Sequence, residues 1–322
     1  MANGDVAVES ESTSTTARRR TDVAIVWGAG GSRRGRISDR YAVHQEGTVR
    51  SSGRNFIYTR THSTDSMGNE SPDRDAVKSV ETTFAVINAL YELDGAGVSA
   101  VATELDMAKS TIHKHLRTLT DAEYVVREGD QYHVGLQFLE LGEFARTRKE
   151  GYTISRAKVK ELAEETQERA QFIVEEHGRG VYLYREVGER AVHTDPGIGK
   201  RIPLHSTAAG KAILANLPEA RAEEIVETRG LEAVTENTIT ERGELFSELA
   251  TIRERGYAFN LEENVPGLHA VGVAVTPNGT DVCGALSVSG PSHRLRDDLL
   301  RTEIPRRLLG TVNELELNLK YS

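Results

Sequence analysis

A twelve-residue segment, 109–120, constrains this chain most, because it combines basic charge with helical periodicity. It reads KSTIHKHLRTLT and contains three basic residues and no acidic residue, whereas the whole chain has a formal net charge of −9. Ile112, Leu116 and Leu119 recur at helical spacing, which predicts a buried face. The polar residues would then face outward. A short basic helix with an apolar back, in an otherwise acidic chain, is typical of a DNA-reading helix.

We therefore predict that this helix contacts double-stranded DNA. The candidate contacts are the polar residues of its outward face and one arginine of the strand that follows. They are Lys109, Ser110, Thr111, His113, Lys114, Arg117 and Arg127. The alternative is an amphipathic helix whose basic face is simply solvated. The helix by itself does not distinguish the two interpretations, and the elements on either side of it favour DNA binding.

The flanking elements predict a winged helix-turn-helix. Residues 76–93 read as an amphipathic helix, and five apolar side chains share one of its faces: Val77, Val80, Phe84, Ile87 and Leu90. Ser99 is a candidate N-cap for a second short helix. After the basic helix, residues 124–128 and 131–134 predict two strands around a Gly129-Asp130 hairpin turn. In this arrangement the third helix enters the major groove and the hairpin touches the backbone or the minor groove.

The length of 322 residues favours two folded domains. Residues 1–66 are rich in Ser, Thr, Gly and Arg, and we predict a disordered extension or an over-extended gene start, with Met67 as the alternative first residue. A disordered basic arm that touches DNA is the other interpretation. We assign the winged helix-turn-helix to 67–135, a linker helix to 136–153 and an effector-binding domain to 154–322.

The composition excludes several classes of protein. No apolar run is long enough to cross a bilayer and no secretory pattern opens the chain, so we expect a soluble protein of the cytoplasm without a membrane partner. The single cysteine, Cys283, excludes an intramolecular disulfide. Arginine outnumbers lysine 31 to 9 in this acidic chain, which fits either a high-salt cytoplasm or a GC-rich genome.

The second domain alternates between helical and strand periodicity. We predict a helix from Ile154 through about Arg169, strands at 171–176, 181–187 and about 191–194, and a long closing helix from Arg294 to about Leu319. Pro277-Asn278-Gly279 predicts a hairpin turn between two apolar strands. The order indicates an α+β domain around one antiparallel sheet.

A small polar pocket is predicted where residues 203–215 pass from a polar loop into a helix rich in small residues. The free amides at such a helix start favour an anion, and small side chains let a ligand approach the backbone. Ser287 and Ser289 alternate on a strand and so face the same side, and Asn260 ends another strand. The alternative is that the small residues only permit tight helix packing.

Enzymatic patterns are absent from the sequence. Gly-x-Ser-x-Gly, His-Glu-x-x-His and Cys-x-x-Cys do not occur. His193, His205 and His269 could converge on a metal ion, but a lone histidine is more often an ordinary polar residue. We therefore predict no catalytic residue, no metal and no cofactor.

From about Ala76 to Tyr321 the chain resembles the IclR-type transcriptional regulators. Three segments carry the resemblance: KSTIHKHL at 109–116; YHVG at 132–135 with LELG at 139–142; and PLHSTAAGK at 203–211, with RGY at 255–257 and SVSGP at 287–291 downstream. The resemblance implies a GAF-like effector domain, homodimers or homotetramers, and a small organic-acid or sugar-derived effector that modulates operator affinity.

Matching motif positions implies an effector pocket at Ala191, Thr194, Ala208, Ala209, Asn260, Ala270, Ser287 and Ser289. Asn260 stands where some members have an acid, and Ala270 where some have a cysteine. An amide does not repel an anionic oxygen, so a carboxylate ligand still fits. The competing interpretation is a small-molecule sensor or enzyme whose winged helix mediates protein contacts only.

Overall fold

The N-terminal part of the described chain folds as a winged helix-turn-helix. The computed structural model describes residues 76–189, 191, 197–279 and 281–321; the predicted extension at 1–66 lies outside them. The elements are α1 (Lys78–Glu92), α2 (Val98–Glu104), α3 (Lys109–Asp121), β1 (Val125–Glu128) and β2 (Gln131–Val134). The predicted helix triplet and hairpin are therefore confirmed. Their shared core contains Val86, Leu90, Val101, Ile112, Leu116 and Tyr132.

Two turns position the basic helix and its hairpin. Gly129 has φ +61° in the two-residue turn between β1 and β2, a conformation that glycine adopts without steric cost. Gly95 has φ +94°, and a Cβ there would lie 2.2 Å from the ring of His133. The prediction of Ser99 as an N-cap is wrong. The α2 helix already begins at Val98 after Gly97, and no side chain caps it.

Two helices follow the hairpin: α4 (Gln137–Thr147) and α5 (Glu150–Thr166). No residue of α4 is buried. The α5 helix ends earlier than its charge pattern predicts, because Gln167 adopts the left-handed conformation at φ +58°. Arg169, which we expected at the end of a helix, therefore belongs to a strand. This difference decides where its side chain lies.

The second domain is built on one antiparallel six-stranded sheet, with the order β5-β4-β3-β8-β7-β6. The strands are β3 (Arg169–Glu176), β4 (Arg179–Val187), β5 (Arg201–Ile202), β6 (Ala258–Leu261), β7 (Leu268–Val275) and β8 (Gly284–Pro291). The central pairing of β3 with β8 joins segments more than 100 residues apart in sequence. The predicted α+β fold around an antiparallel sheet is confirmed.

Helices cover both faces of this sheet. On one face α5 and α9 (Ile304–Tyr321) pack on alternate strand residues such as Phe172, Val271 and Leu286. On the other face lie α6 (Ala208–Asn216), α7 (Glu219–Arg229) and α8 (Arg242–Arg255). Their apolar residues pack on Ile173, Tyr182 and Ala285. The end of that second face near Arg169 is polar instead.

Two boundary predictions differ from the structure. The closing helix does not start at Arg294: Asp297 has φ +49°, and a π-helical turn at Leu299–Glu303 precedes α9. Of the strand predicted at 191–194 only Ala191 is described, and it is not in a strand. The observed edge strand is β5 instead. No helix in the described ranges is both long and apolar enough to cross a membrane.

Candidate functional site

The outward surface of α3 presents the predicted DNA contacts together. Lys109, Ser110, His113, Lys114 and Arg117 are exposed and Thr111 is half-buried. The apolar residues Ile112, Leu116 and Leu119 are buried on the opposite side. Arg117 makes an exposed contact with Asp121 at 3.7 Å, and such a pair costs little to break. We call these six polar residues the DNA-reading surface.

Arg127 lies on the hairpin, apart from α3. Its Nε donates to the carbonyl of Gly129 at 2.9 Å, and its guanidinium lies 5.7 Å from the centre of the Tyr132 ring. The side chain is thus held along the wing while remaining exposed. Neither contact uses all five guanidinium hydrogens, so donors remain for a phosphate.

Exposed apolar side chains follow one stripe of α1 and much of α4. Successive members of the stripe, Val77, Val80, Phe84 and Tyr91, are three, four and seven residues apart, which is the spacing of the contact positions in a heptad repeat. All four side chains are exposed, and Phe84 is 56% exposed. We predicted a single apolar face, but the helix has two. Val86, Ala89 and Leu90 are buried in the core, while this stripe is not. On α4 and its start, Leu136, Leu139, Leu141 and Phe144 are also exposed.

The predicted serines lie on a polar patch of the sheet, which we call the polar face. Gln171 pairs with Ser287 across β3 and β8 and with Arg185 across β3 and β4. Opposite residues of neighbouring strands share a face. The next row pairs Arg169 with Ser289, Ser289 with Ala270, and Ala270 with Asn260. Three strands, β3, β4 and β8, therefore bring Arg169, Gln171, Arg185, Ser287 and Ser289 together.

Hydrogen bonds connect the two central strands on this face. Arg169 Nε donates to Ser289 Oγ at 3.0 Å, and Gln171 Nε2 donates to Ser287 Oγ at 3.2 Å and Ser289 Oγ at 3.4 Å. All four residues are nearly completely buried. The serine hydroxyls therefore hold a guanidinium and an amide in place. Sequence reasoning found the serines but missed Arg169 and Gln171.

Tyr182 and Arg185 extend the polar face onto β4. The register between β3 and β4 shifts after Phe172, so Tyr182 lies opposite Ile173 and faces the same side as Arg185. Burial lowers the pKa of the Arg169 guanidinium, and the nearby Arg185 charge lowers it further. Burial also raises the pKa of the Tyr182 phenol. The patch thus places two guanidinium groups and a phenol on one face of the sheet.

The start of α6 packs directly on the sheet beside the polar face. A Cβ on Gly272 would lie 2.6 Å from the carbonyl carbon of Ala208 and the amide nitrogen of Ala209. Thr207 caps the helix by accepting from the amide of Gly210 at 3.0 Å. This close approach requires glycine at position 272, which supports the interpretation that small residues here permit tight packing of the helix. It also places the first α6 amides against the neighbouring row of the sheet.

Asn260 has a role that we did not predict. Its Nδ2 donates to the carbonyl of Ser206 at 2.9 Å, and its Oδ1 accepts from the amide of Glu263 at the same distance. Glu263 in turn accepts twice from the buried ammonium of Lys211, at 2.7 and 2.5 Å. Burial raises the pKa of the Glu263 carboxyl, and Lys211 opposes that rise. Asn260 thus links two loops beside the polar face.

The remaining predicted pocket residues are placed as follows. Ala208, Ala209 and Ala270 are buried beside the polar face, Ala191 is half-buried, and Thr194 lies outside the described residues. A separate cavity of about 30 Å³ is lined by His205, Leu214 and Glu232 among others. It has room for about one water molecule and includes none of the eight effector-pocket residues that the resemblance implies.

The histidines of the described ranges do not form a metal site. His205 is buried and shares a hydrogen bond with the carbonyl of Glu232 at 3.0 Å. Burial lowers the pKa of its imidazole, so the neutral ring donates from Nε2. His269 Nδ1 lies 2.7 Å from the carbonyl of Leu295. No group of three metal-ligating side chains occurs in the part of the chain that the structure describes.

Sequence comparisons agree with this architecture. The family described as bacterial transcriptional regulator IclR C-terminal matches residues 147–315, and the IclR helix-turn-helix domain matches residues 79–129. The chain is 33% identical over 248 residues to the probable HTH-type transcriptional regulator ArcR of Halobacterium salinarum, a match that covers 76% of this chain and 94% of that protein.

Solved structures show the same fold. Thermotoga maritima IclR superposes with a TM-score of 0.65 at 28% identity, over 76% of this chain and all of that one. An IclR homologue from Microbacterium hydrocarbonoxydans, crystallised with 4-hydroxybenzoate, has a TM-score of 0.62 at 21% identity over 74% of this chain. The matched proteins are regulators rather than enzymes. The chain therefore belongs to the IclR family of transcriptional regulators.

Proposed function

We propose that this regulator binds operator DNA through α3 and that a small organic acid, free or sugar-derived, changes its operator affinity. The main support for an acidic effector is the buried guanidinium of Arg169, which donates to Ser289 beside Gln171. A guanidinium binds a carboxylate through charge-assisted, paired hydrogen bonds. The small side chains of Ala208, Ala209 and Ala270 are buried beside the polar face.

DNA recognition is proposed to divide between the DNA-reading surface and the wing. Long polar side chains at the front of α3 would reach base edges in the major groove, and Arg127 would contact the phosphate backbone. The net charge of −9 disfavours non-specific adhesion of the whole chain to DNA. Binding should therefore depend strongly on these few side chains.

We further propose that a second copy of the chain covers the apolar stripe of α1 and the exposed face of α4. The heptad spacing of the α1 stripe suits a helix-to-helix seam. A helix with no buried residue, such as α4, gains little stability in isolation. Two copies joined here would present two α3 helices to operator half-sites, and further association into tetramers would involve the effector domains.

Contacts at the end of α4 offer a physical connection between the polar face and the DNA-binding half. The guanidinium of Arg146 lies 5.1 Å from the centre of the Tyr184 ring, and Tyr184 is the strand neighbour of Arg185. Arg148 contacts Glu176 at the end of β3 at 3.5 Å. A ligand changes the affinity for DNA only if it binds one arrangement of the two domains more tightly than another. We propose that the contacts of Arg146 and Arg148 differ between those two arrangements.

A fluorescence-anisotropy titration of the full chain tests this function. The DNA would be a duplex from the gene's own upstream region and a scrambled duplex of equal composition, in a salt series with and without a panel of small organic acids. We expect tighter binding to the upstream duplex and a change in affinity with at least one acid. Equal, weak binding to both duplexes would favour the interpretation in which the winged helix contacts only proteins. A DNA-bound regulator would act in the cytoplasm.

A further inference from the structure

One side-chain hydrogen bond joins α3 to α1, and it lies beside the DNA-reading surface rather than on it. His115 belongs to α3 but is half-buried, and its Nδ1 lies 2.9 Å from Thr83 Oγ1 of α1. No other side-chain hydrogen bond connects these two helices within the described residues. Their remaining contacts are apolar, between residues such as Val86 and Leu116. Because apolar contacts have no preferred direction, this bond is the feature that can fix how α3 is rotated on α1.

The hydrogen of this bond can be assigned from what the hydroxyl already does. The Thr83 hydroxyl has one hydrogen, and it donates that hydrogen to the carbonyl of Ser79 at 2.8 Å. Toward His115 the hydroxyl therefore accepts, and the ring donates from Nδ1. The ring nitrogen that faces α1 is thus engaged within the domain. His115 differs in this respect from Lys114 and Arg117, whose side chains are exposed.

Thr83 lies between the core of the domain and the apolar stripe of α1. Phe84, the next residue, belongs to the exposed stripe, whereas Val86 and Leu90 are buried in the core. The bond therefore connects α3 to the helix through which we propose that two copies associate. In a dimer, the distance between the two α3 helices decides which half-site spacing fits. A rotation of α3 on α1 would change that distance in both copies at once.

We propose that the Thr83–His115 hydrogen bond sets the spacing at which two copies present α3 to the operator, and that His115 is a positioning residue rather than a DNA contact. The inference rests on the proposed function, because it assumes that α3 binds DNA and that α1 joins the two copies. It adds a specificity-determining pair that lies outside both of those surfaces. The net contribution of one hydrogen bond corresponds to about a two- to tenfold change in affinity.

Four variants separate positioning from direct contact with DNA. Thr83→Val and His115→Leu each remove the bond. Thr83→Ser keeps the hydroxyl, and His115→Asn keeps an N–H at the position of Nδ1 while it deletes Nε2. We expect the first two variants to bind the upstream duplex about two- to tenfold more weakly, and the last two to bind it like wild type.

A double variant and a neighbouring threonine provide the controls. Thr83→Val combined with His115→Leu should bind no more weakly than either single variant, because both substitutions remove the same bond. Thr82→Val should bind like wild type. The Thr82 hydroxyl makes the same kind of bond to the carbonyl four residues earlier, that of Lys78 at 2.9 Å, and this bond stays within α1.

Duplexes of altered spacing give the readout that a merely structural role would not change. Footprinting would locate the protected half-sites in the upstream duplex, and one base pair would then be inserted between them or removed. In anisotropy titrations the wild-type chain should lose affinity with either change, and Thr83→Val should lose much less of it. A Thr83→Val variant that binds like wild type, or more weakly by the same factor at every spacing, would overturn the proposal.

Folding and the wild-type chain make the remaining outcomes decisive. Urea denaturation checks that each variant is folded, and if Thr83→Val is not, the contrast between His115→Asn and His115→Leu decides. A folded His115→Asn variant that loses the operator would show that Nε2 contacts DNA and would refute the positioning role. Equal binding of upstream and scrambled duplexes by wild type would refute the proposed function and this inference with it. A wild-type preference for the upstream duplex, with no effect of the variants on spacing, would refute the inference alone.

Discussion

The DNA-reading surface and the polar face both present cationic side chains, yet they are built in opposite ways. The first comes from thirteen consecutive residues of one helix. The second combines three strands, and its bonded partners Arg169 and Ser289 are 120 residues apart. Arg117 has a side chain that is 77% exposed, whereas Arg169 is 6% exposed. Local patterning is enough to build the first region, whereas the second requires the tertiary fold.

The two environments predict different responses to salt. Exposed charges are screened at physiological ionic strength, and each phosphate contact releases counterions, so operator affinity should fall steeply as salt rises. A buried guanidinium is screened much less. Acid binding at the polar face should therefore change little across a salt series in which DNA binding is lost.

The largest effect is expected from removing both serine hydroxyls of the polar face. Ser287→Ala combined with Ser289→Ala removes the acceptors for Arg169 Nε and Gln171 Nε2. Each buried donor left unpaired costs about 1–3 kcal/mol, so we expect the acid response of operator binding to disappear while DNA binding persists. Fluorescence anisotropy of the operator complex at increasing acid concentration measures the response. Ser247→Ala, at an exposed position of α8, is the control. An unaltered dose–response curve would contradict the site.

Substitution on the DNA-reading surface should have the next largest effect. Arg117→Ala or Lys114→Ala should weaken operator binding about 10- to 100-fold and leave acid binding unchanged, because one base contact contributes about 1–3 kcal/mol. Circular dichroism would check that the fold is kept. Lys160→Ala, on the exposed side of α5, is the control, because it also removes one positive charge but lies outside α3. A variant that still binds the operator like wild type would remove that side chain from the DNA contacts.

The exposed apolar stripe of α1 is a third surface, and introducing a charge there tests whether its task is separate from those of the other two. Phe84→Glu would place a carboxylate in the proposed seam between two copies, so we expect a shift toward monomer and a weaker, less cooperative operator complex. Sedimentation velocity measures the mass. Leu317→Glu, at an exposed position of α9, should leave α1 association intact. An unchanged dimer in Phe84→Glu would place the contact elsewhere.

The smallest effect concerns stability below neutral pH. Burial lowers the pKa of His205 in the folded state, so the unfolded chain takes up a proton that the folded chain does not. Stability should therefore fall as the pH drops below about 6.5, the ordinary histidine pKa, until the folded pKa is reached. Urea denaturation between pH 7.5 and pH 5.5 should show a smaller loss for His205→Gln than for wild type. Equal losses would mean that other groups account for the slope.

Periodicity within one segment predicted the N-terminal domain well. Ile112, Leu116 and Leu119 are the buried side of α3, and Gly129 forms the predicted turn. The same reasoning placed Val80 and Phe84 on a single apolar face, although the structure leaves them exposed. A sequence pattern shows that a stripe is apolar; it does not show whether the chain's own core or a second copy covers it.

The polar face could be predicted only in part. Alternation along β8 identified Ser287 and Ser289, because side-chain direction in a strand is local. Arg169 was missed because charged residues continue from α5 to that position, and only the left-handed Gln167 separates helix from strand. The β3–β8 pairing, and the bulge that turns Tyr182 toward Arg185, depend on contacts between distant segments. No property of either segment alone reveals them.

One measurement tests most directly whether the two cationic regions have separate tasks. Operator affinity would be measured with and without the acid that binds tightest, for the wild-type chain, Arg117→Ala and Arg169→Met, with calorimetry of acid binding on the same samples. Our account predicts that Arg117→Ala loses the operator but binds acid like wild type, whereas Arg169→Met binds the operator normally and no longer responds to acid. An Arg169→Met variant that folds, binds acid and responds like wild type would contradict it.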